Sequence, residues 1–165
     1  MPDSLYLIYK HQKMKAAIHT QYGPPEVVQI REIDKPSPGP NEVLVRVHNS
    51  TVNRTDCGFR SAEYFVSRFF SGLFKPKQQI LGCEFSRTIE SVGELVLTYQ
   101  VGDRVFGYND VRFGGHAGYL IRDERDTMTL MPENLSFEEA AALTEGAHYA
   151  LCNIRAAKVE AGQKI

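Results

Sequence analysis

The chain has 165 residues, 42% of them hydrophobic, and its 19 basic and 20 acidic side chains leave a net charge of −1. That length suits one domain with a real core and is too short for two of full size. Charges of both signs are interspersed, so no basic patch exists to hold nucleic acid or an anionic membrane.

The cysteines, Cys57, Cys83 and Cys152, lie far apart with no Cys-x-x-Cys pair. This pattern fits reduced thiols in a cytoplasm rather than a secreted disulfide framework. No apolar run approaches the ~20 residues needed to span a bilayer. Residues 1–13 read as an N-terminal extension in which Leu5-Tyr6-Leu7-Ile8-Tyr9 precedes Lys10, His11, Gln12 and Lys13. No small-residue cleavage site follows, which argues against a signal peptide. A frayed extension and a true start at Met14 both fit.

Residues 15–20 form a short strand, closed by Tyr22-Gly23-Pro24-Pro25, where two prolines remove donors and fix φ. Residues 27–33 alternate, with Val28 and Ile30 on one side and Val27 and Ile33 on the other, the pattern of a half-buried strand. After a proline-rich loop at residues 35–41, residues 42–48 are rich in β-branched side chains with period-two polarity. Residues 53–77 are irregular, an aromatic and basic mixture (Phe59, Arg60, Tyr64, Phe65, Arg68, Phe69, Phe70, Phe74) with room for a short helix. Further strands fall at residues 80–81, 88–92 and 94–98, after the turn Val101-Gly102-Asp103, and at 117–121 and 127–131. Short strands separated by Gly and Pro predict a mainly β fold, a closed or partly open barrel.

The period then changes. Ser136 and Glu139 have capping-box spacing. Residues 140–157 follow as one helix, or two broken near Gly146. A polar turn ends at Ile165, which reads as the first residue of a further strand. The chain thus divides into an extension (1–13), a barrel (14–135) and a helical connector (136–165).

Several segments carry a family resemblance in order and at family spacing. They are Val52-Asn53-Arg54-Thr55-Asp56, Ile80-Leu81-Gly82-Cys83-Glu84-Phe85, Val101-Gly102-Asp103-Arg104-Val105-Phe106-Gly107, Gly114-Gly115-His116-Ala117-Gly118-Tyr119, Pro132-Glu133-Asn134-Leu135-Ser136 and Glu138-Glu139-Ala140-Ala141-Ala142-Leu143. From Met14 onward the chain resembles the N-terminal, GroES-like domain of the medium-chain dehydrogenase/reductase superfamily, most closely its zinc-free quinone oxidoreductase-like branch. The resemblance implies a partly open β-barrel with a C-terminal helix or helices. It also implies an NAD(P)H-dependent oxidoreductase of apolar quinone, enone or alcohol/carbonyl substrates, with no choice made between NADH and NADPH.

By the same resemblance, Asn53 and Thr55 are the catalytic candidates, Asn53 donating a hydrogen bond to the substrate oxygen. Asn53, Arg54, Thr144 and His148 would face the cofactor, Arg54 by pairing with its pyrophosphate. Tyr64, within a lid or wall of aromatics at residues 59–74, and Phe113 would contact substrate. Each has a plainer reading beside it: Asn53 can stabilise a turn, Asp56 can cap one, Arg54 can be solvated, and the aromatics can plug the barrel. Zinc-bearing relatives place metal ligands where this chain has Asn53, Cys83 and about Thr144. Of these only Cys83 is a good zinc ligand, so no zinc is expected. His11, His19, His48, His116 and His148 have no metal-ligand spacing.

The family binds its dinucleotide on a Rossmann domain with a Gly-x-Gly-x-x-Gly turn, and that motif does not occur here. The Rossmann domain is therefore absent, and the chain alone is expected to bind NAD(P)H weakly and to lack dehydrogenase activity. The alternatives are a stand-alone GroES-like binding or assembly module, a non-catalytic partner of a separate Rossmann chain, and a remnant. The apolar face of the final helix would favour a homo-oligomer. Two positions depart from the family pattern. Arg87 replaces a near-invariant Gly in a strand, where a long cation must reach solvent or clash, and Gly118 replaces a usual acidic residue.

Overall fold

The computed structural model describes residues 12–163. The expected extension over residues 1–13 lies almost wholly outside this range, as does the strand start at Ile165. The first strand, β1 (Lys13–His19), alternates as its sequence requires, burying Met14, Ala16 and Ile18. It pairs antiparallel with β2 (Val28–Asp34), Lys13 opposite Asp34 and His19 opposite Val28. The other strands are β3 (Glu42–Ser50), β4 (Glu84–Val92), β5 (Arg104–Tyr108), β6 (Tyr119–Asp123) and β7 (Met128–Leu130). They form an antiparallel sheet in the order β6-β3-β4-β5-β7. The isolated bridges Ala16↔Ala117 and Ile18↔Ile80 tie β1 to the segments that precede β6 and β4. The fold is mainly β and the barrel partly open, as expected.

The main core lies inside the five-stranded sheet, where Val43, Val45, Ile89, Tyr99, Val105 and Leu120 meet. A second cluster joins Met14, Ala16, Ile18 and Ala117, and a third joins Leu81, Cys83 and Phe113, with Phe59 packed on it. Three helices complete the described residues: α1 (Arg54–Ser61), α2 (Arg68–Ser71) and α3 (Phe137–Ala156). None is long and apolar enough to cross a membrane.

Several expectations need correction. The half-buried strand at residues 27–33 forms, but Ile30 is 70% exposed and Val28 also faces outward. Among the described residues β1 is the only ladder partner of β2, and none of them covers its outer face. Residues 94–98 are not a strand. The backbone N–H of Leu95 bonds to the Pro40 carbonyl (2.9 Å), and the N–H groups of Leu97 and Thr98 bond to the Glu124 carboxylate (2.9 and 3.1 Å), so these donors are satisfied without a ladder. Residues 80–81 give only a bridge, because Gly82 adopts φ +94° and its backbone presses against Gly115 and His116. A Cβ on Gly82 would lie 2.5 Å from the His116 nitrogen, so only glycine permits this crossing. The strand that follows begins at Glu84 rather than at residue 88.

The terminal helix is continuous through Gly146. Its capping box forms as read: the Ser136 hydroxyl accepts from the Glu139 N–H (3.2 Å) and the Glu139 carboxylate accepts from the Ser136 N–H (2.9 Å). One glycine in a helix costs only about 1 kcal/mol relative to alanine, too little to break a run that is well capped and rich in helix formers. The aromatics of residues 59–74 are not a barrel plug. Phe59 packs against Phe113, with ring centroids 4.7 Å apart. Tyr64, Phe65, Phe69, Phe70 and Phe74 are all exposed, Phe74 to 90%.

Arg87 neither reaches solvent nor clashes. It is fully buried, its guanidinium lies 3.6 Å over the Phe85 ring, and Nε, Nη1 and Nη2 have no hydrogen-bond partner. Burial, reinforced by the charge of Arg122, drives its pKa well below the usual arginine value.

His19 is buried as well, 2% exposed. Its Nδ1 donates to the Gln79 carbonyl (3.0 Å), and Nε2 has no partner. Burial lowers its pKa below 6.5; the bond to Gln79 opposes this and the charge of Arg60 adds to it. The unfolded chain therefore takes up this proton first, so stability is full above 6.5 and falls as pH drops through and below it. The expected result is a lower urea midpoint at pH 5.5 than at pH 7.5, with a shallower difference in His19→Gln, whose amide keeps a donor for Gln79. Equal slopes in the two proteins would refute the assignment.

Candidate functional site

The site begins at the start of α1. Asn53 is its N-cap, with extended backbone (φ −114°, ψ −175°). Its Oδ1 accepts from the Asp56 N–H (3.1 Å), and the buried Asp56 carboxylate accepts from the N–H groups of Asn53 (3.2 Å) and Gly82 (2.8 Å). The capping box thus fixes the carbonyl end of the Asn53 amide and leaves Nδ2 pointing the other way. Nδ2 donates to the Cys83 Sγ (3.0 Å) and to Glu84 Oε2 (3.1 Å). Both protons of the amide are therefore engaged inside the protein.

Glu84 is the hub. Its Oε2 also accepts from the Thr51 hydroxyl (2.5 Å), and its Oε1 accepts from the Thr144 hydroxyl (2.9 Å) and the Glu145 backbone N–H (2.6 Å). One carboxylate on β4 thereby ties the end of β3, the cap of α1 and the middle of α3. The helix can approach so closely because Ala140 and Ala141, both buried, occupy its inner face. Burial raises the Glu84 pKa, but the hydrogen bonds from Thr51, Glu145, Asn53 and Thr144 outweigh it and the net direction is downward. Cys83 goes the other way. Burial pushes its thiol up to about 12, the neighbouring carboxylates of Asp56, Glu145 and Glu84 contribute, and the bond from Asn53 opposes only in part.

Beside this hub opens a cleft of about 660 Å³ lined by Asn53, Arg54, Thr55, Glu84, Glu145, Gly146 and Tyr149. Arg54 is exposed on it. The Thr55 hydroxyl donates to the buried Glu145 carboxylate. Glu145 is a site residue that sequence reading did not single out. Its signal was an acidic residue four positions after Ala141, on the face that faces the sheet.

The structure therefore brings Asn53, Arg54 and Thr55 together around one opening, while Thr144 bonds to Glu84 and lines a separate pocket together with His148. The other candidates lie elsewhere. His148 is on another side of α3, stacked on Tyr108 (centroids 6.5 Å, planes at 19°) and lining a separate pocket with Phe106, Met128 and Leu151. Tyr64 is exposed and lies outside the cleft at Asn53. Phe113 is buried against Phe59, Leu81 and Cys83. A larger, mostly apolar groove of about 720 Å³ lies between β1, β2 and α1, lined by Ala16, Val28, Ile30, Val52 and Leu81 among others.

A partly open barrel with a capped helix over its rim, and a cleft where that helix meets a second one, define a GroES-like domain. The family model for the alcohol dehydrogenase GroES-like domain matches residues 39–159. The chain belongs to that family, within the medium-chain dehydrogenase/reductase superfamily. It is similar to a quinone oxidoreductase from Mus musculus, 36% identical over 134 residues, and to one from Sus scrofa, 33% identical over 134 residues. Each match covers 80% of this chain and 38% of the relative. Among solved structures it is similar to the quinone oxidoreductase from Coxiella burnetii, with TM-score 0.81 and 29% identity, covering 92% of this chain and 47% of the other. The chain thus spans less than half the length of these relatives.

Proposed function

We propose that these residues form the substrate-side half of a zinc-independent reductase that takes its hydride from NAD(P)H and delivers it to an apolar quinone, enone or carbonyl acceptor. The single observation that carries this reading is the hydrogen-bonded knot at the positions where zinc-bearing relatives hold their metal. Asn53 and Thr144 are poor zinc ligands. A metal at Cys83 would have to remove a proton held up to about 12 and displace the Asn53 amide from the sulfur. Glu84, which could substitute as an oxygen ligand, already accepts four hydrogen bonds. The donor set does not fit zinc.

The dinucleotide, when bound, supplies the hydride, and the protein's part is binding and positioning. Arg54 offers an exposed guanidinium at the cleft for a pyrophosphate. Thr55 donates its hydroxyl proton to the Glu145 carboxylate, which fixes Oγ1 on the cleft wall as an acceptor for a donor group of a bound molecule. The Asn53 amide, held from both ends, sets the separation of α1 from β4 and thus the width of the opening. No glycine-rich dinucleotide turn occurs in these 165 residues, so the chain by itself holds the cofactor weakly.

Nitrogen-15 NMR titration of the chain with NADPH is the test. Shift changes are expected at residues 53–55 and 145–149, without saturation below about 1 mM, where binding is worth only about 4 kcal/mol, and Arg54→Gln should diminish them. Metal analysis should find zinc substoichiometric even after growth in added zinc. Micromolar NADPH affinity, shifts centred on another surface, or stoichiometric zinc would each overturn the reading.

A further inference from the structure

One stretch of the surface is far more apolar than a solvated loop. Tyr64, Phe65, Val66, Phe69, Phe70 and Phe74 are 63–90% exposed, and contiguous apolar surface of this kind marks a contact with something outside the domain. The stretch is ordered from below. The short helical turn Phe65–Ser67 runs straight into α2, and the rings of Phe65 and Phe69 meet edge to face with centroids 5.6 Å apart. The Tyr22 hydroxyl bonds to the buried Ser71 hydroxyl (2.9 Å) and donates to the Gly72 carbonyl (2.6 Å), and Arg68 lies over the Tyr22 ring. The polar side of the segment is thus pinned to the turn before β2, and the rings are held outward.

The charges of this stretch are one-sided. Between residues 64 and 83 there is no Asp or Glu, while Arg68, Lys75 and Lys77 all occur. The near-neutral balance of the whole chain, which spoke against an anionic membrane, averages over this segment. At Gly72 (φ +121°) the loop folds back so tightly that a Cβ would lie 2.2 Å from the Lys75 carbonyl oxygen, and the Lys77 N–H donates to the Ser71 carbonyl (2.8 Å). That fold-back returns Lys75 and Lys77 to the end of α2, beside Phe69 and Phe70. Both lysines are exposed, and neither joins an ion pair among the described residues. Protein interfaces are enriched in aromatic rings but depleted in lysine. Rings flanked by free lysines suit the boundary of a bilayer, where the rings enter the acyl edge and the ammonium groups stay with anionic headgroups. We infer that the face formed by Phe65, Phe69, Phe70, Phe74, Lys75 and Lys77 docks on the surface of a membrane that contains anionic lipid. The chain lies on that surface and does not cross it.

The probe is a set of vesicles, one of phosphatidylcholine alone and one of phosphatidylcholine and phosphatidylserine in equal parts. The 165-residue chain should co-sediment with the mixed vesicles and only weakly with the neutral ones. Each lysine at an anionic surface is worth roughly a fivefold gain, so Lys75→Gln combined with Lys77→Gln should lower partition about tenfold to thirtyfold. Phe70→Ser combined with Phe74→Ser should lower it about thirtyfold or more. All four side chains are exposed, so these variants keep the fold. Leu97→Ser, at an exposed leucine outside the segment, should change nothing. The chain has no tryptophan, so Phe74→Trp supplies a single reporter, whose emission should move to the blue on the mixed vesicles and be quenched by brominated lipid. No partition into the mixed vesicles, equal partition into both compositions, or binding that survives the paired phenylalanine changes overturns the proposal. So does loss of self-association in that variant with no vesicle binding by the parent chain, which makes the face a protein contact.

Discussion

Arg87→Met raises the thermal midpoint of this chain, by about 3 kcal/mol of stability. At the scale usual for a domain of this size, that is roughly 6–12 °C. The side chain sits at zero exposure with three unpartnered nitrogens, stacked on Phe85 and repelled by Arg122. Methionine keeps most of the length and the flat contact with the ring, and its thioether tolerates irregular space. It removes the only part of the side chain that suffers from burial. Glycine would remove the charge as well but leave a cavity beside Phe85, which cancels part of the gain. Arg46→Met on the neighbouring strand is the control, since Arg46 is exposed and its loss should change stability by less than about 0.5 kcal/mol. The pH dependence has a definite sign. The folded-state pKa of Arg87 lies below the unfolded one, so its destabilising effect relaxes as pH rises through the interval between them. The gap between wild type and Arg87→Met should therefore narrow in alkaline solution. A variant no more stable than the wild type would mean that the guanidinium is paired in solution.

Glu84→Ala has the opposite sign and similar size. Removing this carboxylate strands the hydroxyls of Thr51 and Thr144, the Asn53 amide and the Glu145 N–H at one stroke. The expected loss is about 3–5 kcal/mol, the range for breaking a buried charged network. Glu84→Gln retains one acceptor oxygen but turns an N–H₂ toward donors, so it recovers only part of that loss. Acid gives a second readout. The Glu84 pKa is lowered from 4.5, so its contribution is complete above 4.5 and disappears as pH falls through the folded value. Glu84→Ala should accordingly lose less stability than the wild type between pH 5 and pH 3. In the same variant the amide signals of residues 53–55 should broaden or move, because Glu84 is what joins the cap of α1 to α3. Unchanged stability would show that α1 and α3 are held by packing alone.

What the chain announces locally it also builds. The helix start at Ser136–Glu139 is of this kind, two capping partners three residues apart whose geometry needs no distant contact; the same spacing at Asn53–Asp56 builds the start of α1, in a stretch that read only as irregular with room for a short helix. The alternation of β1 and the strand at Arg104–Tyr108 were legible for the same reason, because period-two burial is written in the order of the residues. The gathering of Asn53, Arg54 and Thr55 at one opening followed from their adjacency. The helical spacing of Glu145 from Ala141 hinted at an inward acid, but its role arises only when α3 docks on β4 and sets Glu84 beside it, 61 positions apart in the chain. Where Phe113 and His148 would lie was not legible for a related reason. A side chain's type says what it can bind, and the packing of other elements says whether it faces a cleft, a core or another surface.

The sequence by itself determined the periodic and capped elements, the mainly β class and the family, since these rest on neighbours within a few residues and on spacing along the chain. Only the tertiary structure decided the rest: that β2 lies uncovered, that residues 94–98 give their donors to Pro40 and Glu124 rather than to a ladder, that one carboxylate joins three elements, and that Arg87 is sealed inside. The physical reason is common to all four. Burial and the satisfaction of polar groups are properties of the space between segments, and that space exists only once distant parts of the chain have met.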